Sequence, residues 1–375
     1  MSEPIRILQM IGNLNIGGSQ AFVLNIYQKI DRSKFQFDFI VDSPENNYYM
    51  PKVESMGGRV YYFPKFNGKN YFEIKKFWSR FLEEHKEYTV LHSHVRSYAS
   101  LYLPIAKSFG LKTIIHSHSN SNGKGVMTFA KSFLQFPLRF QADYYMACSQ
   151  EAGRWLFGKR VCNSSCFQVV NNAIDVDDYV FSQQKREKIR SEFDVKNEFV
   201  LGYLARVTVP KNPLFVIDVM AELLKIIPNA KLLFVGDGEL LSSVKKKATE
   251  FGIQKSVIFT GARTDVSYLL AAMDCYILPS FWEGLGISLI EAQASGLQCI
   301  CSDRIPNEAI VSDLASRYPL DIGAKTWAEK ISLMQKKTIR PNVSEKIKKA
   351  GFDINENAEM MQKFYEKLCI KYAGE

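Results

Sequence analysis

Residues 279–296 read PSFWEGLGISLIEAQASG, and this stretch decides how the chain is interpreted. It follows the apolar run CYIL at 275–278, which predicts a buried strand, and it leads into a pattern typical of a helix that begins near Gly286. Glycines between a strand and a helix allow backbone N–H groups to approach an anion closely. The stretch therefore predicts an anion site beyond the carboxyl end of a strand in a parallel sheet.

Two glutamates flank this turn. Glu283 precedes it, and Glu291 lies two helical turns further on, about 12 Å along the helix axis. One carboxylate can hold a sugar hydroxyl while the other reaches a ribose, with a diphosphate between them. A surface loop with an exposed helical glutamate is the alternative, which the glycine-flanked context disfavours. The backbone groups assigned to the donor here belong to Gly284, Leu285, Gly286 and Ile287.

Two cations follow the first predicted strand of the second half, in GYLARVTVPKNP at 202–213. Arg206 and Lys211 can neutralise a diphosphate without a metal ion. That neutralisation matters because a leaving group must accept charge as the glycosidic bond breaks. Solvated surface charges are the alternative for this segment alone. The nearby loop with Glu283 favours the anion-binding interpretation.

Other strand ends supply weaker candidates for donor binding. GNLNIGGSQAF places two glycines between the first strand and the first helix, but it is not a GxGxxG fingerprint, and a simple tight turn fits equally well. The VGDG segment fits an ordinary N-cap turn, and the strand end at 261–263 can offer backbone groups to a nucleobase edge. These candidates are Gly17, Gly18, Gly236, Asp237, Gly238, Ala262 and Arg263.

Four of the five histidines form two HxH pairs, His92/His94 and His116/His118, on neighbouring predicted strands. The period-two geometry of a strand places each pair on one face. His94 and His118 lie nearest the strand ends, where imidazoles can donate hydrogen bonds to sugar hydroxyls or to the departing charge. His92 and His116 are expected in the interior. A four-histidine zinc site is the alternative, which the lack of carboxylates nearby in the sequence disfavours.

Short apolar runs alternate with amphipathic stretches twice along the 375 residues. This alternation predicts an α/β fold class with two Rossmann-like, doubly wound domains that face each other across a cleft. The predicted domains are 1–178, 179–355 and a C-terminal helix at 356–375 that packs back toward the first domain. The predicted strands are IRILQMI, FQFDFIV, RVYYFP, VLHSH, TIIHSHS, YYMACS and FQVVNN, then FVLGYLARV, KLLFVGDG, VIFTGA, CYILPS and QCICSD.

The composition is typical of a folded, cytoplasmic protein. Hydrophobic residues make up 46% and charged residues 23%, and no stretch approaches the ~20 apolar residues that span a bilayer. The seven cysteines are scattered in apolar runs, and the first residues predict a strand rather than a signal peptide. The net charge of +9 is concentrated in the first half and favours an anionic partner, whether a membrane surface, nucleic acid or a phosphorylated substrate.

Together these segments resemble the GT-B glycosyltransferases of family 4, which are retaining enzymes that use nucleotide-sugar donors. The resemblance runs from the glycine pair after the first strand, through HSHS at 116–119 and VVNNAID at 169–175, to EGLGISLIE at 283–291. It implies no metal ion, no cofactor and no nucleic-acid partner. It also implies a front-face mechanism in which the donor's own phosphate accepts the proton of the acceptor, so that no protein base is needed.

The resemblance also implies roles for single residues. Glu283 would contact the donor sugar, Glu291 the nucleotide ribose, and the two cations the diphosphate, while a histidine lies near the reacting sugar. The acceptor-binding residues are expected to be His94 and Asn120. The expected catalytic set is His118, Glu283, Arg206 and Lys211.

Bacterial enzymes of capsular or exopolysaccharide assembly look most similar. The expected reaction therefore moves a hexose or N-acetylhexosamine from a nucleotide sugar, by family habit a UDP-sugar, to a glycan acceptor that is often lipid-linked. VMTFAKSFLQFPLRF at 126–140 suits contact with the inner face of the plasma membrane, and a core helix interrupted at Pro137 fits it equally well. A UDP-sugar 2-epimerase of the same architecture and a non-catalytic sugar-nucleotide-binding protein are the alternatives.

Overall fold

The chain folds into two compact units. The first comprises Met1–Ile174 together with Asp353–Glu375, and the second comprises Asp175–Phe352. The chain therefore leaves the first unit after its last strand and returns to it for the final helix. The computed structural model describes residues 3–42, 47–118, 132–335 and 340–370.

A parallel sheet forms the centre of the first unit. Its described strands follow the order β3-β2-β1-β4-β5-β6-β7, and every pairing is parallel. The strands are β1 Ile5–Gly12, β2 Phe35–Val41, β3 Val60–Tyr62, β4 Val90–Ser93, β5 Lys112–Ser117, β6 Tyr144–Ala147 and β7 Phe167–Val169. Because helices cover both faces, the central strands are continuous apolar runs.

Two apolar layers sandwich this sheet. Ile7 packs into one layer and its neighbour Leu8 into the other, as the alternation of side chains along a strand requires. Trp78 and Tyr102 stack in the second layer with ring centroids 4.8 Å apart. The helices that connect the strands are α1 Gly18–Lys29, α2 Met50–Ser55, α3 Tyr71–Glu84, α4 Ala99–Ser108, α5 Leu138–Gln141 and α6 Gln150–Cys162.

The second unit repeats the plan with a parallel sheet in the order β10-β9-β8-β11-β12-β13. Its described strands are β8 Val200–Leu204, β9 Lys231–Val235, β10 Val257–Gly261, β11 Cys275–Leu278, β12 Gln298–Ser302 and β13 Ala315–Tyr318. Met220, Phe234 and Trp327 are completely buried in one of its apolar layers. This core fixes the strand ends from which the loops of the candidate site emerge.

Helices and short 3₁₀ turns connect the strands of the second unit. The helices are α7 Val176–Tyr179, α8 Gln183–Glu192, α9 Pro213–Ile226, α10 Leu241–Glu250, α11 Val266–Ala272, α12 Ile287–Ala294, α13 Gly323–Met334 and α14 Ser344–Lys349. The 3₁₀ turns are Val209–Lys211, Gln254–Ser256, Asn307–Ala309 and Leu320–Ile322. The last described helix, α15 Ile354–Ile370, belongs to the first unit.

Helix α15 completes the core of the first unit. Met361, Tyr365 and Leu368 join the same buried cluster as residues of α1. Where the chain re-enters the unit, the Ile354 N–H donates a 2.9 Å hydrogen bond to the carbonyl of Ile174. The final helix is thus an integral layer of this unit.

Each sheet reverses its strand order at one point, between β1 and β4 in the first unit and between β8 and β11 in the second. Ligands of open parallel sheets bind beyond the carboxyl ends of the strands at such points. The loops after β1 and β4 carry Gly17 and His94, and those after β8 and β11 carry Arg206 and Glu283. The prediction of two doubly wound, Rossmann-like domains is confirmed.

Candidate functional site

The turn between β11 and α12 opens a helix N-terminus at the edge of the second sheet. Gly286 adopts a left-handed backbone with φ of 89°, a conformation that favours glycine, and the helix begins at the next residue. The first N–H groups of a helix have no partner within it. Together with the positive end of the helix dipole, they suit a phosphate.

Glu283 lies buried at this turn with both carboxylate oxygens engaged. Its Oε1 accepts a 2.8 Å hydrogen bond from the Ser280 hydroxyl, and its Oε2 pairs with the ammonium of Lys211. The backbone joins the same segments, because the Phe281 N–H donates to the carbonyl of Pro210 at 2.8 Å. The two segments that the sequence singled out therefore meet within the second unit.

Arg206 lies in the same loop as Lys211, directly after β8. It lies in a tight turn, in which the Thr208 N–H donates to the Arg206 carbonyl at 2.9 Å and the Lys211 N–H donates to the Thr208 carbonyl at 3.0 Å. The Arg206 side chain is exposed, and no carboxylate within the described ranges pairs with it. Its guanidinium is therefore available to an oxyanion.

Gly236 and Gly238 bring the loop after β9 against the loop after β8. A Cβ on Gly236 would lie 2.0 Å from the Ala205 carbonyl oxygen, and one on Gly238 would lie 2.5 Å from that of Val207. The Val207 N–H donates to the Asp237 carbonyl at 2.8 Å, and the Asp237 carboxylate accepts from the Gly238 N–H at 2.7 Å. Both glycines serve close backbone packing, and the Asp237 side chain serves the turn.

The strand end at Ala262 and Arg263 has an anchored side chain. The Arg263 guanidinium pairs with Asp265 at 2.7 Å and with Glu192 at 2.7 Å, and these hydrogen bonds raise the pKa of Arg263. Ala262 is exposed, and the carbonyl of Gly261 is used by the Gly236 N–H at 2.9 Å. A contribution to nucleobase binding from this strand end would thus come from backbone groups.

Glu291, on α12, lies close to Tyr179, whose hydroxyl donates a 2.8 Å hydrogen bond to its Oε1. The residue keeps partial exposure, yet desolvation of the carboxyl raises the pKa of Glu291 to about 7, against the opposing effect of the Tyr179 hydrogen bond. Within the described residues, its Oε2 makes no hydrogen bond. The sequence did not reveal Tyr179, because it lies in the polar segment between the halves.

The histidines of the first unit form a stacked cluster across β4 and β5. Ring centroids lie 4.3 Å apart for His92 and His94, 4.2 Å for His116 and His118, and 5.1 Å for His94 and His118. Burial lowers the pKa of His92 to about 3 and that of His118 to about 4. The imidazoles are therefore neutral at neutral pH.

Of the two histidines assigned to substrate, His94 is buried and His118 is partly exposed. His94 lies 2.9 Å from Gln9 Oε1 through its Nε2 and 2.8 Å from His118 Nε2 through its Nδ1, so both of its nitrogens are engaged. His118 is partly exposed, and its Nδ1 lies 3.4 Å from Asn172 Oδ1. His118 can thus contact a substrate directly, with His94 behind it. Asn120 lies outside the described residues.

The histidine cluster offers nitrogens to a cation but no negative charge. Ligand atoms of His92, His94 and His116 lie within 4.8 Å of one another, and this group contains no carboxylate or thiolate. Both nitrogens of His94 are already hydrogen-bonded. Neutral ligands would leave the charge of a divalent ion uncompensated in an apolar core. A divalent ion at these residues would have to displace the hydrogen bonds of His94 and bring its charge into the apolar core.

The glycine pair after β1 leaves space without strain. Gly17 is the N-cap of α1 with an extended backbone that any residue can adopt, at φ of –175°. Gly18 begins the helix, and nothing in the described structure lies within 4 Å of the position that its Cβ would take. The N-terminus of α1 is therefore open to an approaching ligand.

Two family models match consecutive parts of the chain. Residues 16–178 match the Glycosyltransferase Family 4 model, and residues 184–353 match the Glycosyl transferases group 1 model. The first match lies in the first unit except for its last residues, 175–178, and the second covers almost all of the second unit.

Relatives match the chain over its whole length. It is 26% identical to EpsF of Bacillus subtilis (strain 168) over 379 residues, which cover 97% of each chain. It is 24% identical to the capsular polysaccharide biosynthesis glycosyltransferase CapH of Staphylococcus aureus over 377 residues, 96% of this chain and 98% of CapH. A shorter match of 31% identity over 149 residues covers 39% of this chain and 38% of an Escherichia coli UDP-Gal:alpha-D-GlcNAc-diphosphoundecaprenol alpha-1,3-galactosyltransferase.

Solved structures share the fold at low identity. HepE of Anabaena, in complex with UDP and glucose, superimposes with a TM-score of 0.79 at 18% identity, over 96% of this chain and 99% of HepE. Sucrose-phosphate synthase of Thermosynechococcus elongatus gives a TM-score of 0.78 at 16% identity, over 98% and 99% of the two chains. From the two family matches and this shared architecture, the chain belongs to family 4 of the glycosyltransferases and has the GT-B fold.

Proposed function

We propose that this glycosyltransferase is a retaining enzyme that moves a hexose or N-acetylhexosamine from a UDP-sugar to a glycan acceptor in cell-surface polysaccharide synthesis. The observation that carries the proposal is the pairing of Lys211 with Glu283 beside the N-terminus of α12, with the exposed Arg206 in the adjoining turn. Solved complexes of HepE contain UDP-glucose, and CapH is named for capsular polysaccharide biosynthesis, which supports the donor and the pathway class.

In the second unit, we assign the diphosphate of the donor to the N–H groups of residues 284–287 and to Arg206 and Lys211. Negative charge develops on the diphosphate as its bond to the anomeric carbon breaks, and two cations fixed beside it stabilise that charge. Lys211 exchanges its Glu283 partner for a phosphate oxygen. The freed carboxylate of Glu283 then accepts hydrogen bonds from the donor sugar.

The nucleoside part of the donor has its own proposed contacts. The Oε2 of Glu291 accepts from the ribose hydroxyls, while its Oε1 keeps the hydrogen bond from Tyr179. Backbone groups of Ala262 and Arg263 contact the base, because the Arg263 side chain is already paired. Gly236 and Gly238 hold the loop between these groups close to the β8 strand end.

In the first unit, we propose that His118 donates a hydrogen bond to a sugar hydroxyl during transfer, and that the space beside Gly17 and Gly18 admits substrate. Asn120 keeps its assignment to the acceptor from the sequence. The acceptor oxygen forms a bond to the anomeric carbon as the bond from that carbon to the phosphate oxygen breaks. The acceptor's proton passes to the departing phosphate oxygen, so that no side chain has to serve as base.

An exposed aromatic stripe supports a membrane-bound acceptor. The exposed fractions are 81% for Phe133, 57% for Phe136 and 68% for Phe140. These positions are three and four residues apart, which is the spacing of side chains on one face of a helix. The Arg139 guanidinium lies 5.1 Å from the Phe136 ring centroid. Among the described residues, no helix could cross a bilayer. We propose that this stripe rests on the anionic inner face of the plasma membrane, where a lipid-linked acceptor would be found.

Donor binding is tested by incubating the protein with a panel of nucleotide sugars and following release of the nucleotide. We expect UDP-sugars to raise the melting temperature and to be consumed. Lys211→Ala should lower kcat by about 100-fold or more, because it removes a charge aimed at the leaving group. The control is Lys246→Ala, whose ammonium forms an exposed pair with Glu250 at 3.8 Å. Full activity in Lys211→Ala, or conversion of the donor into another UDP-sugar without an acceptor, would refute the proposal.

Membrane contact is tested by flotation with vesicles that contain about a third of anionic lipid at low salt. We expect the wild type to float, and the double variant Phe133→Ser/Phe140→Ser to remain at the bottom. The matched control is Phe72→Ser, which changes an equally exposed phenylalanine on α3. If the wild type fails to float, or if the double variant floats equally well, the membrane surface is not the partner of this stripe.

A further inference from the structure

A continuous hydrogen-bonded chain runs from the C-terminal helix to the partly exposed His118. The amide of Gln9 contacts the Tyr365 hydroxyl at 3.3 Å, and that hydroxyl lies 2.8 Å from Nδ1 of His92. The chain continues through His94, whose Nε2 lies 2.9 Å from Gln9 Oε1 and whose Nδ1 lies 2.8 Å from Nε2 of His118. It ends where Nδ1 of His118 lies 3.4 Å from Oδ1 of Asn172. We call this the histidine chain, and its members in order are His92, Tyr365, Gln9, His94, His118 and Asn172.

The members of the chain are neutral groups, so their protons can be counted. Burial holds the pKa of His92 and His94 below the usual range, and desolvation together with the charge of Arg96 does the same for His118. A neutral imidazole has one N–H and one lone pair. A histidine with two hydrogen bonds must therefore donate one and accept the other. The Tyr365 hydroxyl has a single proton, and it can accept from both His92 and Gln9 only if its own O–H is left without an acceptor. If no donor is left without an acceptor, all hydrogen bonds of the chain point in one direction.

Two directions exist. In the outward direction each group donates toward Asn172, so His118 has its proton on Nδ1. In the inward direction each group donates toward His92, so His118 has its proton on Nε2. Gln9 has its amide nitrogen toward Tyr365, which fits the inward direction. Asn172 has its amide oxygen toward His118, which fits the outward direction. One of these amides therefore has to rotate by half a turn, which exchanges two atoms of almost the same size.

The buried end of the chain distinguishes the two directions. Within the described part of the chain, Nε2 of His92 has no hydrogen-bond partner. The inward direction places an N–H at this atom, whereas the outward direction leaves only a lone pair there. A buried N–H without an acceptor is the rarer and more costly defect. Neither nitrogen of neutral His116 has a partner among the described residues, so its N–H is such a defect in both directions, and the inward direction adds a second one at His92. At the other end, the outward direction supplies the donor that Asn172 Oδ1 needs.

We infer that the histidine chain runs outward, so that His118 presents an N–H at Nδ1, and that Gln9 and His94 are positioning residues that hold it in this tautomer. The tautomer itself rests on the chain alone. Its consequence for catalysis rests on the function proposed above, in which a sugar hydroxyl replaces Asn172 Oδ1 as the acceptor of this N–H. Gln9 acts from inside the sheet, where it is only 1% exposed, and does not need to touch substrate.

The tautomer can be read directly by long-range ¹H–¹⁵N NMR of the protein labelled in its five histidines. His85, on the surface, serves as the reference signal. We expect the Nδ1–H form of His118 to exceed the Nε2–H form by about tenfold, the ratio that an unpaired buried N–H would produce. A spectrum in which His118 has its proton on Nε2 would overturn the inference.

A carboxylate at position 9 should reverse the chain, because it can only accept hydrogen bonds. In Gln9→Glu at alkaline pH, where the carboxyl is ionised and His94 is neutral, His94 must donate to the carboxylate and accept from His118, which moves the His118 proton to Nε2. At lower pH, a protonated His94 can donate both ways and restore the outward arrangement. We therefore expect a loss of kcat of about tenfold with rising pH, with little change in KM, where the wild type stays flat.

Gln9→Met is the matched control, because it has a similar length and no carboxylate. Its pH profile should stay flat, and thermal unfolding should show that both variants fold. If the NMR signals of Gln9→Glu show no reversal at high pH, the inference is overturned. If the tautomer reverses while kcat stays constant, the inferred direction of the histidine chain is confirmed and the proposed role of His118 in transfer is refuted.

Discussion

Glu291→Gln should make the protein more stable at alkaline pH and a weaker binder of its donor. The carboxyl of Glu291 has its pKa raised from 4.5 to about 7 by desolvation in the folded state. A group whose folded pKa is raised contributes stability below its unfolded pKa and loses that contribution as the pH rises through the folded value. The wild type should therefore lose stability between about pH 4.5 and about pH 8 at this residue. A neutral amide does not titrate and avoids the loss.

The size of the effect follows from the shift. One pKa unit corresponds to about 1.4 kcal/mol, so a shift from 4.5 to about 7 gives a difference of about 2.5 kcal/mol between about pH 5 and about pH 8. Partial exposure of Glu291 reduces this to about 2 kcal/mol. For a unit of this length, that corresponds to roughly 4–8 °C in melting temperature. The ribose, in turn, loses the only anionic acceptor that we assign to it.

The assay is denaturant unfolding of the wild type and of Glu291→Gln at about pH 5 and about pH 8, with UDP-glucose titrated calorimetrically. The control Glu329→Gln changes an exposed glutamate of α13 and should stay within about 0.5 kcal/mol of the wild type at both pH values. We expect the advantage of Glu291→Gln to grow with pH. An advantage that is the same at both pH values would show that this carboxyl is not desolvated in the folded protein.

Three further outcomes are expected. Gly238→Ala should lower donor affinity in calorimetry by tenfold or more and destabilise the fold by about 2–4 kcal/mol, because a Cβ would meet the Val207 carbonyl; wild-type affinity would contradict the packing role. Tyr179→Phe should raise the pKa of Glu291 further and weaken UDP-glucose binding about threefold near pH 7, while an unchanged pH dependence of binding would refute the coupling. Treatment with a chelator should leave kcat within about twofold, because Arg206 and Lys211 supply the charge; loss of activity that added metal restores would contradict this.

The sequence predicts the architecture well, because long apolar runs alternate with amphipathic segments. The segments predicted as strands cover β1 to β12 except for Gly12 at the end of β1 and Lys112 at the start of β5. The missed strand is β13, whose residues ASRY at 315–318 lie at the edge of the sheet and are mostly half-buried. A short edge strand with polar residues has no apolar run to mark it.

The strand-end loops that carry the candidate site could also be anticipated, since glycines, glutamates and cations follow the predicted strands directly in the sequence. The hydrogen-bond partners of these residues could not be predicted from the sequence, because they come from distant positions along the chain. Tyr179 reaches Glu291 across 112 positions, and Gln9 contacts Tyr365 across 356. Gln9 can nevertheless be noticed in the sequence, because it is a polar residue within the apolar run IRILQMIG.

Arg263 illustrates the opposite case. The sequence offers it as a donor ligand at a strand end, yet its guanidinium is held by Asp265 and by Glu192, 71 positions earlier. A pattern of residue types shows where a charge stands along the chain, but not which opposite charge folding brings beside it. Pairing of this kind is decided by tertiary structure.

Hydrogen exchange with and without UDP-glucose, read by mass spectrometry, locates the donor directly. We expect slower exchange in residues 204–212, 236–240 and 279–294, where the loops after β8, β9 and β11 surround the paired Lys211 and Glu283. A cavity of about 660 Å³ lined by Arg186, Arg190 and Asp274 provides the internal comparison, and its exchange should not change. Protection confined to that cavity, or absent from residues 279–294 at saturating UDP-glucose, would contradict the placement of the donor.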